Sequence, residues 1–193
     1  MKYFQLDFLT KDKQEIILEI LKQYSQQLDG DHGVHHWLRV FRNSLIINSL
    51  TNDDIDIEVT FWFSMFHDCK RQNENKDPGH GERAARYIEQ YKSRLGLSDH
   101  QYNLLIRACS SHTDTIKSLN PTVAACYDSD RLDLYRVNIY PLPEFLNHQC
   151  AKSQNIIESR SKLAQEWFWD LGIEEMIGLD LQSIIEQNKH YRN

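Results

Sequence analysis

Apolar residues recur along this chain at spacings of three and four, and strand-like alternation is rare, so the pattern predicts helices nearly throughout. With only seven Gly and four Pro to interrupt it, the chain reads as all-α. Helices are predicted over about 12–28, 33–50, 54–68, 78–95, 98–112 and 121–136. Beyond Pro141 and Pro143 the signal weakens, with further helices near 143–149, 151–169 and 173–190. Asp12 with Glu15 has capping-box spacing before Ile16, Ile17, Ile20, Leu21 and Tyr24, and Gly30 suits the stop. Ser98 with Gln101 repeats the box, while Asp77-Pro78 and Asn120-Pro121 each put a capping residue before a proline. The polar stretch Lys70 to Asp77 is the clearest loop.

Helical phase turns several polar residues toward the core. Val123, Tyr127, Asp130 and Leu134 form one stripe, which places a carboxylate amid apolar neighbours. Its desolvation must be offset by a cation or by protonation. Tyr102, Leu105, Ile106 and Cys109 form a stripe that His112 extends, and His80 heads another through Ala84, Tyr87, Tyr91 and Leu95. His67 and Asp68 end the apolar segment Phe61 to Phe66, about 100° apart on a helix whose negative dipole end favours a cation. In the second helix, apolar on both sides and central to the bundle, His36, Arg39 and Asn43 form a polar row that asks for internal partners.

Each of these residues has a bland reading. A single histidine on an apolar face is by default a hydrogen-bonded core residue, and Asp130 alone could pair with Arg131 or Arg136. Lys70 and Arg71 are by default solvated loop charges, Phe61 to Phe66 and Trp167 to Trp169 are by default core, and His32 and His35 read as exposed or cap-related. Five inward His and Asp residues from separate segments are harder to satisfy by hydrogen bonds alone.

Composition narrows the setting. A chain of 193 residues, 40% hydrophobic, is long enough for one core that buries roughly 70% of its unfolded surface, so a single domain over 1–193 is expected. Four cysteines without CxxC spacing, and an N-terminus without a signal-peptide pattern, fit reduced thiols in a cytoplasm. No apolar run approaches the roughly 20 residues of a membrane span. A net charge of −6 without a Lys/Arg cluster argues against a large nucleic-acid surface but not against a small phosphorylated substrate, since a bound dication reverses the local sign. The aromatic tail could be core or the surface of a homodimer.

Taken in order, His36-Trp-Leu-Arg39-Val40, His67-Asp68 and Asp130-Arg131-Leu132 resemble the HD superfamily of metal-dependent phosphohydrolases, named for its adjacent His-Asp pair. The resemblance covers about residues 31–136, leaving 141–193 as a helical extension, and it implies an HD-type helical bundle. It further implies that His36, His67, Asp68 and Asp130 hold one metal ion. Asp128 is the rival for the last place, but the helical stripe chooses Asp130. His80 in Asp-Pro-Gly-His-Gly-Glu and His112 in Ser-Ser-His-Thr-Asp match the further histidines of two-metal members, with Asp68 as the bridge.

Mixed imidazole and carboxylate ligation suits Mn, Fe, Zn, Ni or Co better than Ca. Two such ions about 3.5 to 4 Å apart would activate a hydroxide for attack on phosphorus. Asp68 would be catalytic through that hydroxide, and Arg39 with Lys70 or Arg71 would face the developing phosphoryl charge. The expected function is hydrolysis of a small phosphate ester, such as a nucleotide. The alternative is a non-catalytic metal- or nucleotide-binding sensor domain, and the third reading is a helical domain whose histidines satisfy one another.

Overall fold

A computed structural model describes residues 6–191 and is all-helical, with no strand among them. The longer helices are α1 (Lys11–Gln23), α2 (Val34–Leu50), α3 (Ile57–Phe66), α4 (His80–Ile88), α6 (Asp99–Ser111) and α7 (Pro121–Arg131). A short α5 (Lys92–Leu95) follows α4, and α8 (Gln154–Gln165), α9 (Leu171–Ile177) and α10 (Leu181–Tyr191) complete the chain. Among the described residues, no helix is long and apolar enough to cross a membrane. All four cysteines are free thiols, and Cys69, Cys109 and Cys126 are buried.

The helix at the centre of the bundle is α3, with every residue from Val59 to Phe66 buried. A helix apolar all round has no solvent face to choose, so it must be enclosed. Neighbours α1, α2, α4, α6 and α7 all pack against it. Its apolar run ends at His67 and Asp68, which emerge from the last turn into the middle of the molecule with 0% and 2% exposure. Helix α2 is also largely buried, packed against α3, α7, α8 and α9. A second, smaller cluster built on Ile47, Ala125, Leu132, Leu146 and Ile157 fastens the C-terminal segment to α2 and α7.

Several helix ends differ from those the sequence predicts. Helix α1 is capped by Thr10 rather than Asp12, and it ends at Gln23, well before Gly30. Tyr24 turns to extended backbone because its fully buried hydroxyl is drawn to the carbonyl of His32, 3.0 Å away. Helix α4 starts at His80, after Gly79, because the Asp77 carboxylate caps nothing there. It accepts instead from the Gln72 amide at 2.7 Å and Arg83 Nη2 at 2.6 Å, which closes the polar loop on itself. The predicted helix at 121–136 breaks after Arg131 into a 3₁₀ turn, Leu134–Val137, and that at 143–149 shrinks to the 3₁₀ turn Pro143–Phe145. The final helix is two, because Gly178 adopts φ 70° between α9 and α10, a conformation that ends a helix at little cost only for glycine. The box at Ser98 and Gln101 and the Asn120 cap form as the sequence predicts.

Candidate metal centre

Five segments bring the donors together: α2 carries His36, the end of α3 carries His67 and Asp68, the start of α4 carries His80, the end of α6 carries His112, and α7 carries Asp130. Two buried groups, His36/His67/Asp68 and Asp68/His80/His112, could each hold a metal ion. In the first, His36 Nε2 lies 3.0 Å from His67 Nε2, 3.6 Å from Asp68 Oδ2 and 3.3 Å from Asp130 Oδ1. His67 Nε2 is 3.7 Å from Asp68 Oδ2 and 3.8 Å from Asp130 Oδ1. In the second, His80 Nε2 lies 2.9 Å from His112 Nε2 and 3.2 Å from Asp68 Oδ1, with His112 Nε2 4.0 Å from the same oxygen. The two oxygens of one carboxylate therefore serve different histidine pairs.

Hydrogen bonding on the far side of each ring fixes which nitrogen faces inward. His36 Nδ1 lies 2.7 Å from the Asp133 carboxylate, and His67 Nδ1 lies 3.1 Å from the Phe63 carbonyl. His80 and His112 have Nδ1 at 2.7 Å and 2.8 Å from the carbonyls of Asp77 and Cys109. All four Nδ1 atoms must donate, so in the neutral rings all four Nε2 atoms present lone pairs. In the first group, two such nitrogens meet one Asp68 oxygen, and an Asp130 oxygen approaches both nitrogens. One proton there would give one hydrogen bond and leave the remaining acceptors facing one another. Ligands held about 2.0 to 2.2 Å from an ion sit about 3 to 3.5 Å apart, close to the spacing found. In the second group the conflict is milder, because Thr113 Oγ1 is 3.3 Å from His80 Nε2 and can donate to it.

The electrostatics agree with this donor chemistry. Burial holds the His67 imidazole down at about 3 and lowers His112, so both rings are neutral at ordinary pH. Burial would lower His80 too, but the hydrogen bond and charge of Asp68 outweigh it and raise its pKa. Burial pushes the carboxyls of Asp68 and Asp130 up, yet the surrounding imidazoles, with Arg136 beside Asp130, hold both well below the usual range. The Asp130 side chain, 14% exposed, is the most accessible of the six donors.

Other expected residues are placed differently. Arg39 does not face the centre; its Nε and Nη2 grip the two oxygens of Asp133 at 2.7 and 3.0 Å, behind His36. Lys70 also points away, its Nζ 3.5 Å over the Tyr87 ring. Of the three predicted cations only Arg71 reaches the centre, with Nη1 3.4 Å from Asp68 Oδ1. Asp128 is fully buried but elsewhere, accepting from the backbone and side chains of Asn147 and His148. Arg131 does not pair with Asp130, since it binds the carbonyls of His112, Thr115, Ile116 and Phe145.

Two neighbours of the centre were not expected from the sequence: Asp133 orients His36, and His32 is 7% exposed rather than on the surface. Arg136, one of the two partners expected for Asp130, brings Nη2 to 3.9 Å from both Asp68 Oδ2 and Asp130 Oδ1. His32 bonds Glu74 at 2.6 Å, and its ring lies edge-on to His36. The spacing Asp130-x-x-Asp133 was the available clue to the first. Compared with protein-family models, curated proteins and solved structures, the chain has no match.

Proposed function

We propose that this chain is an HD-type metal-dependent phosphohydrolase acting on a small phosphate ester, with nucleotide-like phosphomonoesters the first class to test. The observation that carries this reading is the Asp68 carboxylate, whose two oxygens each approach a different pair of inward-facing imidazole nitrogens. That arrangement suits two divalent ions of the Mn, Fe, Zn, Ni or Co class, with His36, His67 and Asp130 on one side of Asp68 and His80 and His112 on the other. Such ions, when bound, acidify water and neutralise phosphoryl oxygens. The chain's own residues supply the remainder. Asp133 holds His36 in the tautomer that turns Nε2 inward, and the carbonyls of Cys109 and Asp77 do the same for His112 and His80. Arg71, braced by the Asn75 carbonyl at 2.7 Å, and Arg136, braced by the Asp31 carbonyl at 2.8 Å, set fixed positive charge beside the Asp68 carboxylate. Charge fixed before substrate arrives costs no reorganisation when an anion must be held.

The test combines metal analysis with a phosphate-ester screen on one preparation. His67→Ala and Asp68→Ala are each expected to lose bound metal and all hydrolysis while far-UV circular dichroism keeps its helical signal. Full activity in either variant overturns the mechanism. A metal-replete wild type that binds nucleotides but hydrolyses no member of a broad panel would instead establish a sensor.

A further inference from the structure

Arg71 belongs to two places at once. One guanidinium nitrogen faces Asp68, and the same side chain lines an open cleft of about 630 Å³ together with Lys70, Arg83, Arg86 and Tyr87. Glutamine amides, among them Gln72 and Gln90, fill in between, and among the described residues lining the cleft there is no carboxylate. In a chain of net charge −6, the polar loop and α4 gather four cations at this cleft. The acidic partners of these cations stand outside the lining. Asp68 meets Arg71 on the side of the metal centre, Asp77 meets Arg83 at 2.6 Å, and Glu82 reaches Arg86 only at 3.7 Å, with both ends of that pair about 70% exposed. Lys70 is half-buried, with a ring face and the Gln23 amide oxygen at 3.4 Å beside its ammonium, and burial pulls its pKa down.

We infer that this cleft is an anion site for a molecule carrying two or more linked phosphates, gripped by Lys70, Arg71, Arg83 and Arg86. A volume of about 630 Å³ falls within the range of small-ligand pockets and is ample for a polyphosphate or a nucleotide. Guanidinium groups favour phosphate because two N–H donors match two phosphate oxygens. Several cations facing one cleft favour a multivalent anion over a single carboxylate or phosphate. The grip needs no metal, so the cleft would hold its anion whether or not the neighbouring centre hydrolyses anything.

The test is calorimetric titration of inorganic tripolyphosphate into protein stripped of metal and dialysed free of chelator. Saturable one-to-one binding is expected, weakening as NaCl is raised and weaker for inorganic phosphate. The double variant Lys70→Gln/Arg86→Gln should bind about tenfold less tightly, while Lys70→Arg/Arg86→Lys should keep most of the affinity. If the first double variant misfolds by circular dichroism, Arg86→Gln alone, at a largely exposed position, should still weaken binding measurably. Absence of saturable binding by wild type, or unchanged affinity in the Gln variants, would each overturn the assignment.

Discussion

The carboxylate of Asp133 serves two residues of one helix: Arg39 neutralises it and His36 is oriented by it. Burial pushes this carboxyl up, but Arg39 and His36 outweigh burial and keep it ionised. Asp133→Asn keeps the shape and removes the charge that fixes the His36 tautomer, so metal affinity should fall about 10- to 100-fold in a chelator-competition titration. An unchanged affinity would show that His36 is oriented without it. Much of this centre was legible in the sequence because α4, α6 and α7 carry regular apolar stripes, in which His80, His112 and Asp130 stand out by phase alone. Asp133 was not, since it lies just past the end of α7, where a 3₁₀ turn breaks the helical period. His32 reads as exposed or cap-related in the sequence because the turn that buries it depends on Tyr24 and Trp37 reaching the His32 carbonyl, a contact between residues that no periodicity predicts. The row His36, Arg39 and Asn43 did announce a need for buried partners, and it found them in Asp133 and the Ser129 carbonyl.

Among the elements, the packing of α4 on α6 decides whether His80 can meet His112. Gly81 permits that approach, because a Cβ there would stand 2.3 Å from the Cys109 carbonyl oxygen and 3.2 Å from the His112 ring. Gly81→Ala is therefore expected to cost about 2 kcal/mol or more and to lower the melting midpoint by about 5 °C. Metal content should fall with it, read on the same sample. The polar loop offers a pH test. Burial pushes the Asp77 carboxyl up, but the Gln72 amide and Arg83 outweigh it and hold it below the usual 3.8. A carboxyl with a depressed folded pKa contributes stability that is complete above the unfolded value and disappears as pH falls through the folded one. Urea titrations of wild type and Asp77→Asn should differ by about 1 to 2 kcal/mol near neutrality and converge below pH 3.8. A constant gap across that range would remove the charge from the account. The existence and order of the longer helices followed from the apolar period, and so did the starts of α6 and α7. The end of α1, the start of α4 and the split between α9 and α10 did not, because Tyr24, Asp77 and Gly178 obey tertiary contacts or backbone conformation rather than pattern.

For the whole molecule, the donors come from five segments between His36 and Asp130, so an ion held by them would cross-link most of the bundle. Ligands that bind only the folded state stabilise it by about 2.7 kcal/mol at a hundredfold excess over Kd. Metal-replete protein should melt about 5 to 10 °C above chelated protein, and coincident midpoints would argue that nothing is held there. If both groups take up ions, the shared carboxylate of Asp68 would govern how they fill. An ion on Oδ2 would withdraw from Oδ1 the negative charge that an ion between His80 and His112 would use, so the second would enter against the first. Occupancy would then be sequential: a calorimetric titration should resolve two unequal steps, and over an interval of free-ion concentration the population should be dominated by protein carrying a single ion.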